Sequence, residues 1–292
     1  MAADLESGPQ RVGIVGCGLM GSGIAEVCAR AGLDVVVVEQ DPEAVDAGLE
    51  RISRSLDRAV RARKVSAEER ETAAKRIRLT SEFGELADRE LIVEAVFEDE
   101  AQKVEIFRRL DATVESREAI LTSNTSSIPI MKLAVETGRP EQVCGLHFFN
   151  PVPVLDLVEL VPSLLTSENT AARVADFAES VLGKHVIHSQ DRAGFIVNAL
   201  LIPYILSAVR MVESGFATAE HIDAGMVKGC NHPMGPLALV DLIGLDTTMA
   251  VAQSMYEEFK EPLYAPPPLL CRMVEAGLLG RKTGRGFYEY SR

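Results

Sequence analysis

The chain has 292 residues, of which 47% are hydrophobic, and its formal net charge is -13 at pH 7. This length and composition predict a globular protein with room for two domains. Because binding to nucleic acid or to an anionic membrane surface needs clustered Lys and Arg, the negative charge argues against both kinds of partner, and we expect neither.

The first ten residues carry Asp4 and Glu6 and have no apolar stretch, so they match neither a secretory signal nor an Arg-rich transit peptide. We therefore expect a cytoplasmic protein. The longest apolar run, 195–209, has about 15 residues, whereas a membrane-spanning helix needs about 20. The cysteines lie singly, with no Cys-x-x-Cys pair, which disfavours a disulfide framework and a structural zinc site. We expect no metal.

The first motif is a glycine turn between a strand and a helix. Gly16, Gly18 and Gly21 follow a β-branched strand in the pattern G-x-G-x-x-G, and the next β-branched strand ends at Glu39. Such glycines let the backbone approach a pyrophosphate, and the helix N-terminus holds the phosphates. Glu39 is expected to accept hydrogen bonds from ribose hydroxyls and to repel a 2′-phosphate. The predicted cofactor is therefore NAD rather than NADP.

Cys17 lies inside this turn, at the N-terminus of the helix. A thiolate is stabilised at such a position. One hypothesis is that Cys17 is oxidisable and that bound NAD shields it. The alternative is a small residue that fills a tight turn.

A long helix follows, capped by Asp41 and Pro42, and a capping box at 66–69 opens the next helix. The long helix carries an apolar stripe and a parallel basic stripe. A solvated face is the alternative to a binding surface here, but the protein is otherwise acidic. The basic stripe and its extension comprise Arg51, Arg54, Arg58, Arg61, Arg63 and Lys64.

The remaining chain alternates strands and helices and then becomes wholly helical. This order predicts an α/β fold, a doubly wound, mostly parallel Rossmann-type sheet over residues 1–190, followed by a smaller all-α domain over 191–292. The further predicted strands are 78–80, 91–95, 119–122, 143–147, 157–161 and 184–187. The predicted helices of the second domain are 195–215, 218–228, 237–259 and 267–276.

A hydroxyl-rich turn, 122–127, is expected at the carboxyl end of the sheet, where open α/β sheets bind ligands. Helix capping is the alternative, although six polar residues exceed what one cap needs. Asn198 lies in an apolar helix. Because a buried amide without a partner costs about 1 to 3 kcal/mol, we expect it to meet a ligand or an interhelical hydrogen bond.

His147 lies in an otherwise apolar stretch that Glu159 closes, 159 − 147 = 12 positions later. Histidine exchanges a proton readily near neutral pH, and a carboxylate partner would fix its tautomer and stabilise its charged form. The pair is thus a candidate general base. The alternative is a core histidine and a strand-end glutamate.

These motifs run in order along nearly the whole chain, and the chain resembles the L-3-hydroxyacyl-CoA dehydrogenase family, in particular its stand-alone bacterial members that act on 3-hydroxybutyryl-CoA. The segments that carry the resemblance are 16–25 (GCGLMGSGIA), 123–127 (SNTSS), 147–151 (HFFNP), 194–198 (GFIVN), 231–236 (NHPMGP) and 280–288 (GRKTGRGFY).

The resemblance implies NAD-dependent oxidation of L-3-hydroxyacyl-CoA to 3-ketoacyl-CoA, or reduction of acetoacetyl-CoA in reverse. It makes His147 the catalytic base, oriented by Glu159, with Ser126 and Asn198 on the substrate oxygen. The NAD site that it implies comprises Gly16, Gly18, Leu19, Met20, Gly21, Glu39, Glu98, Lys103, Asn124, Ser126 and Asn150. The CoA site that it implies comprises Arg54, Arg58 and Lys64, with Ser126 and Asn198 at the acyl end.

The family also implies a homodimer whose contact lies in the helical domain. Two positions depart from the family pattern: Ala199 stands where Arg is usual, and Glu39 stands where Asp is commoner. Two alternatives to the acyl-CoA function stay open. One is a dehydrogenase of a 3-hydroxy acid or sugar acid without CoA, and the other is a non-catalytic NAD-binding structural protein.

Overall fold

A computed structural model of the chain describes residues 8–290. These residues form two compact units that divide between Asp191 and Arg192. Most of the N-terminal stretch on which the expectation about leader sequences rests, residues 1–7, lies outside the described part.

The first unit is built on one eight-stranded sheet with the strand order β3-β2-β1-β4-β5-β6-β7-β8. All neighbouring strands are parallel except β6 and β7, which are antiparallel. The order changes direction between β1 and β4, which is the switch point where such sheets bind ligands. The strands are β1 Arg11–Val15, β2 Asp34–Val38, β3 Ile77–Thr80, β4 Leu91–Glu94, β5 Ile120–Ser123, β6 Val143–Phe148, β7 Leu157–Pro162 and β8 His185–His188.

Helices connect most of these strands, and the two predicted helix starts are confirmed. The Asp41 carboxylate accepts a hydrogen bond from the Ala44 N–H, and Ser66 with Glu69 forms the reciprocal capping box. The helices are α1 Leu19–Arg30, α2 Pro42–Arg61, α3 Ala67–Lys75, α4 Glu100–Thr113, α5 Ile130–Ala134 and α6 Glu168–Asp176.

The central strands are rich in Val, Ile and Leu with almost no alternation of apolar and polar residues, because a parallel sheet is covered on both faces. Every residue of β4, β5 and β6 is buried. Polar side chains in these strands therefore lie mainly near the carboxyl ends, and there they find polar partners. The mostly parallel sheet that the sequence predicts is confirmed, with each predicted strand end within one residue of its observed position.

The second unit is all helical, as predicted. One predicted helix, 237–259, is wrong, because the segment forms two helices that meet at Gly244 with φ 107. A backbone in that region stops an α-helix, and glycine adopts it without a Cβ clash. The helices are α7 Val197–Glu213, α8 Ala219–Gly229, α9 Pro236–Ile243, α10 Leu245–Phe259 and α11 Pro268–Glu275.

Two buried aspartates organise the second unit. Asp223 accepts hydrogen bonds from the N–H groups of Leu237 and Ala238 at the start of α9, both at 2.8 Å. Asp241 accepts the N–H groups of Phe287 and Tyr288, both at 2.9 Å. The two carboxylates thus tie α8, α9 and the last described segment into one body.

Within residues 8–290 no single helix has the length and apolar composition to cross a membrane. Only α9 and α10 taken together pass such a test, and that pair is bent by 97°.

Candidate active site

The glycine turn follows β1 and is as tight as the motif predicts. Gly16 has φ 92, and a Cβ added at Gly21 would lie 1.9 Å from the Gly16 carbonyl oxygen, so both positions need glycine. Helix α1 begins directly after Gly18, and no side chain caps it. Its first N–H groups therefore have no capping side chain, and the space beside Gly18 is open, since an added Cβ there would meet no atom within 4 Å. This turn fits a dinucleotide pyrophosphate.

Glu39 lies at the end of β2 and contacts the same turn. Its carboxylate accepts the Cys17 N–H and, at 3.2 Å, the Gln40 N–H. On the other side, the Arg51 guanidinium donates to the Cys17 carbonyl. The spacing of Arg51 on α2 places it in the basic stripe and does not predict this contact. The bond of Glu39 to a ribose stays a prediction.

The expectation of a stabilised Cys17 thiolate is wrong. Cys17 is fully buried, and burial, reinforced by the negative charge of Glu39 and opposed by Arg51, raises the pKa of its thiol to about 12. Desolvation thus outweighs the favourable field of the helix N-terminus. The alternative, a small residue in a tight turn, describes Cys17 correctly.

The carboxyl ends of β4 and β5 hold a buried charged cluster. Lys103 of α4 is 1% exposed, and its ammonium lies 2.7 Å from Glu94 Oε1 and 3.2 Å from Glu98 Oε2. Glu94, the last residue of β4, also accepts bonds from Ser123 Oγ and the Val96 N–H. Glu94 is not among the predicted site residues, because a single acid at the end of an apolar strand is not a signal by itself.

Glu98 ties this cluster to the hydroxyl-rich turn. Its Oε1 accepts the N–H groups of Ser126 and Ser127 and the hydroxyls of Thr125 and Ser127. Burial raises the pKa of the Glu98 carboxyl, but the Lys103 charge and these hydrogen bonds outweigh it and hold the pKa below its ordinary value. The turn is therefore organised around an ionised carboxylate.

Asn124 and Ser126 connect the turn to β6 by hydrogen bonds. Asn124 Oδ1 accepts the Phe148 N–H at 2.8 Å, and Ser126 Oγ lies 3.0 Å from His147 Nε2. The hydroxyl-rich turn thus lies against His147, as the position of the turn at the carboxyl end of β5 predicts.

His147 and Glu159 occupy directly opposite positions in the antiparallel pair β6 and β7. The His147 Nδ1 atom lies 2.7 Å from Glu159 Oε2, and both side chains are almost fully buried. The ring of Phe149 packs edge-on against the imidazole, with the ring centroids 4.7 Å apart. The hairpin register explains how residues twelve positions apart meet.

This arrangement fixes the chemistry open to His147. An ionised Glu159 accepts a proton-bearing Nδ1, so Nε2 of the neutral ring carries the lone pair. Ser126 then donates to Nε2. A hydroxyl group brought to the same place could give its proton to Nε2, and the charged ring that results would face a carboxylate.

Four other predicted site residues of the first unit do not join this network. Arg54, Arg58 and Lys64 are exposed on α2 and just after it, and none of them forms an ion pair among residues 8–290. Asn150 is exposed after β6. Asn198 is half-buried in the first turn of α7, in the second unit.

Two family models match the chain. Residues 11–192 match the model described as 3-hydroxyacyl-CoA dehydrogenase, NAD binding domain, and residues 194–290 match its C-terminal domain. A 3-hydroxybutyryl-CoA dehydrogenase of Mycobacterium tuberculosis is 60% identical over 281 residues, which cover 96% of this chain and 98% of the relative.

Solved structures agree with this similarity. An (S)-3-hydroxybutyryl-CoA dehydrogenase of Ralstonia eutropha superposes with a TM-score of 0.90 at 45% identity, covering 97% of this chain and 100% of that one. A diketoreductase that acts on dicarbonyl compounds gives a TM-score of 0.84 at 27% identity, covering 97% and 100%.

The reactivity of Cys17 tests its placement. With a pKa of about 12, roughly one Cys17 thiol in 10⁴ is ionised at pH 8, so iodoacetamide should leave Cys17 unmodified in the native protein without NAD. Cys230 is exposed and should be alkylated under the same conditions. Peptide mass spectrometry measures both. Alkylation of Cys17 at a rate similar to that of Cys230 would contradict the buried, protonated thiol.

Proposed function

The chain belongs to the 3-hydroxyacyl-CoA dehydrogenase family, and we propose that it oxidises L-3-hydroxybutyryl-CoA to acetoacetyl-CoA with NAD and catalyses the reverse reduction. The observation that carries the proposal is His147 held between Ser126 and Glu159. An imidazole in this setting suits proton transfer at an alcohol, which is the half of an alcohol oxidation that the protein must supply.

In this proposal Nε2 of neutral His147 accepts the proton of the substrate C3 hydroxyl. Glu159 keeps the other ring nitrogen protonated and stabilises the imidazolium that forms. The Ser126 hydroxyl, which bonds Nε2, turns to the substrate oxygen as the substrate enters. Asn198 is assigned a second hydrogen bond to that oxygen.

The glycine turn and its surroundings are proposed to hold the cofactor. The uncapped start of α1 receives the pyrophosphate, and Glu39 turns from the Cys17 N–H to the ribose hydroxyls. Bound NAD supplies the hydride acceptor. The remaining residues assigned to the NAD site are Gly16, Gly18, Leu19, Met20, Gly21, Glu98, Lys103, Asn124, Ser126 and Asn150.

Lys103 differs from the others in this set. Its ammonium is buried between Glu94 and Glu98, so we assign it the support of the turn that faces the cofactor. Asn124 is similar, because its Oδ1 bonds the Phe148 N–H and so links the turn to β6.

Arg54, Arg58 and Lys64 are proposed to bind the phosphates of CoA. They are exposed cations on a protein whose net charge is -13, and none of them forms an ion pair with a carboxylate of the described chain. Binding energy from the CoA handle would orient the acyl group at His147. We further propose a cytoplasmic homodimer that associates through the helical unit, without nucleic-acid or membrane partners.

The second candidate function is the reduction of a carbonyl substrate that does not carry CoA. The similarity to a diketoreductase favours it, since that relative acts on dicarbonyl compounds with the same fold. Rates with acetoacetyl-CoA and with free 3-keto acids separate the two candidates.

We predict that His147→Gln lowers kcat for acetoacetyl-CoA reduction by about 10²-fold or more, the usual scale for a lost general acid or base. NADH absorbance measures the rate, and NADH fluorescence verifies that the cofactor still binds. The matched control is His188→Gln, an exposed histidine on β8, which should keep wild-type turnover. Turnover of the His147 variant near the wild-type value would refute the assignment.

We predict that the double variant Arg54→Ala, Arg58→Ala raises KM for acetoacetyl-CoA about tenfold and leaves kcat nearly unchanged, because remote phosphate contacts contribute to binding. With an acetoacetyl thioester that lacks the nucleotide, KM should be equal for variant and wild type. Lys75→Ala, an exposed cation on α3, is the control. An equal rise in KM for both thioesters would show that these arginines do not read the CoA nucleotide.

A further inference from the structure

We propose that Glu98 is a counter-charge that favours the oxidised over the reduced nicotinamide cofactor, and that it thereby opposes Glu159, which favours protonated His147. The proposal rests on the proposed function, since it assigns the two carboxylates to the two sides of one hydride transfer.

The charge count of the buried cluster is the first observation. Glu94 and Lys103 are 0% and 1% exposed and lie 2.7 Å apart, so the lysine charge is matched by Glu94. Glu98 is the second carboxylate on the same ammonium, at 3.2 Å. Two carboxylates and one ammonium leave one negative charge, and no other cation of the described chain is bonded to the three.

That negative charge is held at Glu98. Its Oε1 accepts hydrogen bonds from Thr125, Ser126 and Ser127, and against the effect of burial the Lys103 charge and these donors keep its pKa below the ordinary value. The Glu98 side chain is 27% exposed, whereas Glu94 is enclosed. The excess negative charge of the cluster therefore faces the open side of the site at Glu98.

The position of Glu98 relative to His147 is the second observation. Glu98 accepts the backbone N–H of Ser126 at 3.0 Å, and the hydroxyl of the same residue bonds His147 Nε2 at 3.0 Å. In the proposed reaction the substrate C3–O unit gives its proton to Nε2 and its hydride to the nicotinamide, so both groups must approach that unit. Glu98 thus lies on the same edge of the sheet as the reacting atoms.

The charge balance of the reaction gives the two carboxylates opposite effects. In the oxidation the C3–H bond breaks and its electron pair reduces the nicotinamide, whose positive charge disappears. The O–H bond breaks, its proton goes to Nε2, and C3 and oxygen form the carbonyl. One positive charge therefore moves from the nicotinamide to His147. Glu159 stabilises the positive charge on His147 after the reaction, and Glu98 stabilises the positive charge on the nicotinamide before it.

The test is the affinity of Glu98→Gln for each cofactor form. The amide is isosteric and keeps an acceptor for the Ser126 N–H, but it removes the charge. We expect the ratio of the Kd values, NAD⁺ over NADH, to rise about tenfold, because only the oxidised nicotinamide carries a positive charge that the carboxylate stabilises. Calorimetric titration with each form measures the ratio without turnover.

Three controls make the outcome decisive. Glu98→Asp keeps the charge and should keep the wild-type ratio. Glu100→Gln removes an exposed carboxylate that pairs with Lys132, and it should also leave the ratio unchanged. ADP-ribose, which lacks the nicotinamide, should bind wild type and Glu98→Gln equally.

Equal weakening of NAD⁺, NADH and ADP-ribose in Glu98→Gln would overturn the proposal, because Glu98 would then only support the turn. A ratio changed alike in Glu98→Asp and Glu98→Gln would also overturn it, and so would a ratio unchanged in both. Failure of wild type to bind either cofactor form would instead refute the proposed function.

Discussion

The antiparallel pairing of β6 with β7 is the constraint on which the site depends. The rest of the sheet from β3 to β6 is parallel, and a parallel neighbour could not have returned the chain to face His147 after so short a connection. The reversal sets Glu159 directly opposite His147, in a position without solvent access. The carboxylate at Nδ1 favours one tautomer of the buried imidazole, so Nε2, which faces Ser126 Oγ, is the nitrogen that acts on a ligand.

The second support of the site is electrostatic, and it lies at the carboxyl end of β4. Lys103 is stable in the protein interior only because it forms ion pairs with Glu94 and Glu98. Glu98 in turn accepts a backbone hydrogen bond from the hydroxyl-rich turn. Removing one member of such a buried charged cluster destabilises the protein by more than the whole cluster stabilises it relative to apolar side chains. Through Glu98 the cluster holds the Ser126 backbone and places a carboxylate at the site.

Most of the fold follows from the sequence, because strand composition, glycine spacing and helix caps are local signals. The polar edge of the sheet was predictable for the same reason: Ser126 and His147 each end a buried strand or follow one. Contacts made by long side chains were not predictable. Arg51 reaches the Cys17 carbonyl from a helix whose spacing suggested a solvent face, and Glu94 meets Lys103 nine residues later through packing. The pKa of Cys17 depends on burial, and the break at Gly244 depends on backbone geometry, neither of which a local pattern encodes.

The central claim is that His147 and Glu159 act as one proton-transfer unit. A double-mutant cycle on kcat, with His147→Gln, Glu159→Gln and the double variant, tests it most directly. If Glu159 acts through the imidazole, the double variant should be no slower than His147→Gln alone, because nothing is left for Glu159 to orient. If the fold-decreases in kcat of the two single variants multiply in the double variant, Glu159 acts independently of His147, and the two residues are not one proton-transfer unit.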